Sequence, residues 1–590
     1  MISKKIIIAV LVGVTVAASC DKLEFGNEFL EKPPGSDVTI DTVFNSIEYA
    51  ERFLWNAYAT LPYGLNLNWG TAKADKLGMD ILECLTDLNH SFLAWGGAAQ
   101  LYYNGQYSAA TENESPKTKY HYTKEQSWDG IRKGWIFIEN SHRVPDASQD
   151  YINQLNAEAK VLIALHYSDM FRHFGGLPWV NKAFYPSDDT NMPRLTARST
   201  LDSIVSLLDE AIPYLPRMID DPENWDGRFT QVAAMGLKAR ILLFGASPLF
   251  NSDEPYLEGE ASDELLTWYG AYDATLWNEA ADAAKELIDI VNSEGGYQMV
   301  NTGNPRQDFQ DAYYKRNNGE VLIGTRVRYQ SPGLWSGSYY FYQSADRYGT
   351  AAPTQEYVDM FGMDNGLAID DPGSGWDASD PWANRDPRLY ETVLVNGDDF
   401  QGRTAELWIG GRERKDDNFK GTMSGYGLRK FLLDRDNATS FNSVVHWPYL
   451  RLPEIYLSYA EALNEVNNGP TAESYNYVNM VRQRAGLSDL PPDLNQEEFR
   501  EALLRERACE FGFEEVRWFD LIRWKQEDRF TMTLHGTNTY NNGDGTFTYE
   551  EFEIPDRYWK NNWSPKWYLS AFPPDEVYKG YGLIQNPGWE

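Results

Sequence analysis

Apolar positions recur with a helical period in paired stretches spread from one end of the chain to the other. In 449–486, Leu452, Ile455, Tyr456, Tyr459, Ala460, Leu463 and Val466 step by three or four residues and form one stripe. The turn Asn-Asn-Gly-Pro follows, with Gly469 suited to a helix C-cap and Pro470 unable to continue the helix. A second stripe, Tyr475, Val478, Val481 and Ala485, closes at Gly486. Two short antiparallel helices, with small Ala460 and Ala462 where they approach, predict a tetratricopeptide-like hairpin. One hairpin cannot bury its apolar face alone, so others must stack on it. The pattern supplies them: 156–175 with 199–215, 229–247 with 276–291, a looser pair 47–61 with 127–140, and 496–511 with 514–524. The expected fold is mainly α, a single helical-repeat domain over 46–590. Long loops and short β-hairpins interrupt it, the largest inserts being about 62–126 and 297–448.

The first residues are an address. Lys4 and Lys5 precede the apolar run 6–18, too short to span a bilayer, and Ala17-Ala18-Ser19-Cys20 has the small-residue pattern of a bacterial lipoprotein signal. Residues 1–19 then form a signal peptide, Cys20 carries the acyl chains, and 20–45 is an extended tether. No later apolar run approaches eighteen residues, so the mature chain is expected to sit on a membrane without crossing it. Cys84 and Cys509 are too few for a disulfide framework. A net charge of −34 repels phosphate backbones and disfavours nucleic acid as a partner.

Arg240, Glu461, Arg482, Glu506, Arg507, Glu510, Arg517, Asp520 and Arg523 sit on or beside apolar helical faces, where charge must be paired. They are expected to form a buried ionic network between repeats. His166, Asp169 and His173 share one helix face, a spacing that metal ligands use, but core or capping roles fit them better. The segment 540–553 echoes a calcium loop through Asn542, Asp544 and Glu551, with Tyr540 where a carboxylate should stand. Asn-Gly-Asp-Gly followed by alternating Phe547, Tyr549 and Phe552 reads better as a β-hairpin. No nucleotide loop, nucleophile elbow or zinc-peptidase motif occurs, and no cofactor is implied.

The chain holds 20 Trp and 37 Tyr, more rings than the helical stripes use. The insert 62–126 carries Trp69, Trp95, Tyr102, Tyr103 and Asn104 without periodicity, and 334–348 carries Trp335, Tyr339, Tyr340, Tyr342 and Arg347. Flat rings cover the apolar C–H faces of sugars, and Asn or Arg bonds their hydroxyls. These ten residues form the candidate ligand surface.

Several segments spanning nearly the whole chain resemble the SusD/RagB family of outer-membrane lipoproteins: FLEKPPGSDVTIDTVF, AEAKVLIALHYSDMFRHFGGLPWV, GRFTQVAAMGLKARILLFGASPLFN, PTQEYVDMFGMDNG, NRDPRLY, GYGLRKF, RLPEIYLSYAEALNEV, NMVRQRAG, ERACEFGFEEVRWFDLIRW and QNPGW. Ala508 and Glu515 depart from the family pattern, and both lie in the scaffold. The resemblance implies a surface-exposed, lipid-anchored, non-enzymatic protein of the outer membrane. It would capture oligosaccharide on an aromatic arc and deliver it to a SusC-like TonB-dependent transporter. The alternatives are a peptide-capturing lid of the same kind of importer and a surface glycoside hydrolase, which needs two carboxylates flanking a cleft.

Overall fold

A computed structural model describes residues 39–65, 76–113, 117–123, 126–327, 345, 347–414, 421–432 and 445–590. The signal segment, Cys20, Trp69, Trp335, Tyr339, Tyr340 and Tyr342 lie outside them.

All five predicted helix pairs form. They are α1 (Ile47–Tyr58) with α2 (Ser127–Asn140), α3 (Gln149–Phe174) with α4 (Ala197–Ala211), and α5 (Gln231–Ala246) with α6 (Thr275–Glu294). The last two are α7 (Leu452–Val466) with α8 (Ala472–Arg484), and α9 (Gln496–Phe511) with α10 (Arg517–Arg523). Successive pairs stack through α2 on α3, α4 on α5, α6 on α7 and α7 on α9, giving one continuous helical body. Hydroxyl or amide side chains cap the starts: Ser46, Ser148, Thr196, Thr230, Thr471 and Asn495 each accept a backbone N–H of the first turn. Gly175, at φ +79°, ends α3.

The pattern misjudged two details. Helix α3 begins at Gln149, two turns before the apolar period becomes clear, because Ser148 caps it there. Helix α7 is buried nearly all round, not along one stripe, because α5, α6, α8, α9 and a β-ribbon enclose it. That ribbon joins β2 (Val321–Val327) to β4 (Val445–Arg451) in antiparallel register and closes the base of the 297–448 insert. The described residues of the 62–126 insert fold into short turns, among them a π-helical one at Ala98–Tyr103, which explains their lack of helical period.

Enclosure explains the charges. The nine predicted network residues are all buried, and eight of them pair as Arg240–Glu454, Arg523–Glu461, Arg507–Asp520 (2.8 Å), Arg482–Glu506 (3.0 Å) and Arg517–Asp87 (2.7 Å). The ninth, Glu510, sits at the centre, among cations that the helical stripes did not single out. Arg451 bonds Glu320 (2.7 Å), Glu510 (2.9 Å) and Glu514 (2.7 Å), and Arg388, Arg484 and Lys430 complete it. Burial would raise the Glu510 carboxyl, but Arg484, Arg451 and Arg388 outweigh it and hold it well below the ordinary range.

The histidine helix face serves packing. His166 Nε2 lies 2.8 Å from Thr60 Oγ1, Asp169 pairs with Arg172 and accepts from the Tyr449 hydroxyl at 2.8 Å, and the His173 ring packs on Tyr120 and Phe519. The calcium-like segment is the expected hairpin, β5 (His535–Asn541) paired with β6 (Phe547–Glu553). Its register corrects the calcium candidate. Asn542 and Asp544 sit in the connecting turn, where Asp544 accepts from Thr546, whereas Glu551 lies opposite Thr537 on the strand. At ~3.4 Å per residue Glu551 stands ~14 Å beyond the turn, out of reach of a shared ion.

Candidate functional site

Two segments distant in the chain meet at one surface. β1 (Asn89–His90) pairs with β3 (Ala352–Pro353), with Asn89 opposite Pro353 and His90 opposite Ala352. The pairing is extended by Phe92 N–H donating to Gly349 O at 2.8 Å, Thr354 N–H to Leu88 O at 3.1 Å and the Thr354 hydroxyl to Asp87 O at 2.6 Å. From below, Arg557 donates to the carbonyls of Thr86 (2.8 Å) and Asn89 (2.7 Å).

This seam brings Trp95 and Tyr348 to a ring-centroid distance of 5.8 Å, edge to face at 66°. Met79 and Leu93 form a small buried base against which Tyr348 packs. Trp95 remains 39% exposed, Tyr348 is half-buried, and exposed Arg347 places its guanidinium 5.9 Å from the Tyr348 centroid. The result is an open aromatic pair on an apolar footing with a cation alongside. Such a surface can cover the apolar face of a neutral polar ring and hydrogen-bond its edge. Tyr348 and Arg557 were not among the predicted site residues, because their roles come from partners hundreds of positions away.

The other predicted residues divide. Tyr102 is a correction. It is fully buried, stacked on Tyr107 at 4.8 Å, and its hydroxyl accepts Lys119 N–H at 3.0 Å, so it belongs to the core. Tyr103 is half-buried; its hydroxyl donates to Cys84 O and accepts Ser91 N–H, and its ring stacks on His90 at 4.6 Å with Arg557 above it at 4.8 Å. It braces the seam rather than presenting a free face. Asn104 is exposed at the end of the π-helical turn and accepts Gln106 N–H.

Burial pushes the carboxyls of Asp80 and Glu83 up to about 7. Both lie under this surface and bond neighbouring chain, Asp80 to Ser91 and Ala98 and Glu83 to Glu515 N–H, so neither faces a ligand as a general acid.

Comparison with known proteins agrees with this architecture. Residues 326–589 match the family model described as "SusD family", and residues 81–243 match one described as "Starch-binding associating with outer membrane". SusD-like protein P2 of Formosa agariphila is 39% identical over 403 residues, covering 66% of this chain and 68% of that protein. The chain belongs to the SusD/RagB family. Among solved SusD-like structures, one from Bacteroides fragilis superposes with a TM-score of 0.72 at 22% identity, over 94% of this chain and 100% of that one. A structure described as a laminarin binding SusD-like protein gives 0.56 at 17% identity, over 92% of this chain and 100% of that one. These likenesses establish a SusD-like fold. Both sides of the seam lie in matched regions: Trp95 in 81–243, Arg347 and Tyr348 in 326–589. Among the described residues no helix is long and apolar enough to cross a membrane.

Proposed function

We propose that this SusD-family protein is a non-catalytic glycan-binding lipoprotein of the outer-membrane surface, anchored through Cys20. It captures oligosaccharide and delivers it to a SusC-like TonB-dependent transporter. The convergence of the 76–113 and 347–353 segments on the open Trp95–Tyr348 pair, with Arg347 beside it, carries the reading. It supports ligand stacking at this surface, with Trp69, Trp335, Tyr339, Tyr340 and Tyr342 as candidate additional contacts. Family membership and the descriptions of relatives, starch-binding for the family model and laminarin binding for one structure, support a carbohydrate ligand. Asp80, Glu83 and Arg557 under the surface all bond neighbouring chain, which leaves exposed Arg347 to bond a ligand's oxygens.

The test is affinity electrophoresis and calorimetry on soluble polysaccharides headed by starch and laminarin, with product analysis after prolonged incubation. Retardation by at least one polysaccharide without release of shorter sugars is expected. No binding across the panel, or steady release of products, would overturn the proposal.

A further inference from the structure

Trp95 stands at the apex of a turn, 91–98, and Asp80 lies directly beneath it with 1% of its surface exposed. One carboxyl holds both ends of that turn. Its Oδ1 accepts the Ser91 hydroxyl at 2.5 Å and its Oδ2 accepts Ala98 N–H at 2.9 Å. Inside the turn, Gly96 N–H donates to Leu93 O at 3.0 Å and Leu93 N–H to Ser91 Oγ at 3.2 Å, so the ties continue to the residues flanking Trp95. The packing is close enough to exclude side chains. A Cβ on Gly96 would lie 2.3 Å from Asp80 Oδ2, and one on Gly97 would lie 2.3 Å from the carbonyl oxygens of Leu77 and Lys117. Gly97 has an ordinary helical φ of −63°, so glycine is required there by proximity and not by backbone angle.

We infer that Asp80 is a positioning residue for ligand capture: through Ser91 and Ala98 it fixes the turn that presents Trp95, without itself touching ligand. The inference rests on the reading of the Trp95 surface as the glycan site. A rigid apex matters because an aromatic platform that must be ordered on binding loses affinity to the ordering cost.

The chemistry of the tie separates two substitutions. Burial holds the Asp80 carboxyl up at about 7, and the titratable groups it influences, the Cys84 thiol and Tyr103 phenol, are themselves pushed up by burial with Arg557 opposing. When protonated, Asp80 donates to Ser91 Oγ through one oxygen and still accepts Ala98 N–H through the other. Asparagine reproduces that pattern, with Nδ2 donating and Oδ1 accepting. Alanine removes both bonds.

The experiment uses the full mature chain and whichever panel polysaccharide the wild type retards most. It also measures acrylamide quenching of Trp95, isolated as the difference between each variant and its Trp95→Phe counterpart. Asp80→Ala is expected to weaken binding about tenfold and to increase Trp95 quenching, while Asp80→Asn stays within about twofold of wild type on both. Wild-type binding and quenching in a folded Asp80→Ala protein would overturn the inference, as would an Asp80→Asn variant as impaired as Asp80→Ala. If Asp80→Ala does not fold, Ser91→Ala removes the Asp80–Ser91 tie, and with it the Leu93 N–H bond to Ser91 Oγ, while Asp80 still holds Ala98; it should bind about threefold more weakly, and no change would overturn the inference. Unchanged binding in Trp95→Ala would instead refute the ligand surface, leaving the quenching result to decide whether Asp80 orders the turn.

Discussion

Replacing Trp95 by Ala tests the ligand surface most directly, and the structure sets the size of the effect. A tryptophan side chain offers roughly 250 Å² of surface. With 39% of Trp95 exposed, ~100 Å² is open to a ligand. At about 25 cal/mol per Å², covering half to all of that area contributes ~1.2–2.5 kcal/mol, or roughly 8- to 70-fold in affinity. The remaining ~150 Å² is covered within the fold, so the folded chain should lose stability as well, and binding is measured well below the variant's thermal transition. Trp95 makes an edge contact with Tyr348, while the buried base under the pair is Met79 and Leu93. Calorimetry with the polysaccharide that wild type binds should show an affinity loss in this range while the variant is folded. An affinity equal to wild type, in a folded variant, would refute placing the ligand on this ring.

Arg451→Met removes the cation shared by Glu320, Glu510 and Glu514 inside the helical body, all of them buried. Breaking a buried pair from one side costs about 3–5 kcal/mol, so the denaturant midpoint should fall sharply; an unshifted midpoint would show the network to be dispensable. The Asp80 carboxyl is raised from 3.8 to about 7 in the fold. As pH rises the unfolded chain therefore releases this proton first, and the group's contribution is complete below about pH 4 and lost by about pH 7. Asp80→Asn should flatten the fall of unfolding free energy across that window by up to ~1.4 kcal/mol per pH unit, and an identical slope in variant and parent would contradict it. Cys20→Ser should release the protein from the membrane fraction on cell fractionation, since acyl chains supply ~0.8 kcal/mol per buried methylene; retention in the membrane would refute anchoring through Cys20.

What could be read from the chain was what depends on near neighbours. Helical period and helix-ending glycines are local, so the five helix pairs and the hairpin at 535–553 were legible in the sequence. Charges such as Arg240 and Glu461 were also readable as buried pairs, because an apolar helix face leaves an ion few other fates. The ligand surface was legible only in outline. Trp95 and Tyr102 lie seven positions apart in one aperiodic insert, yet one stands open and the other is sealed in the core. That difference is decided by the pairing of 89–92 with 349–353, by Arg557 reaching back to Thr86 and Asn89, and by the Asp80 tie beneath the turn. Burial of a ring in a loop depends on which distant backbone closes over it, and side-chain type carries no record of that partner. The sequence alone therefore determined the repeat scaffold and its aromatic endowment, whereas the tertiary structure decided which rings became surface.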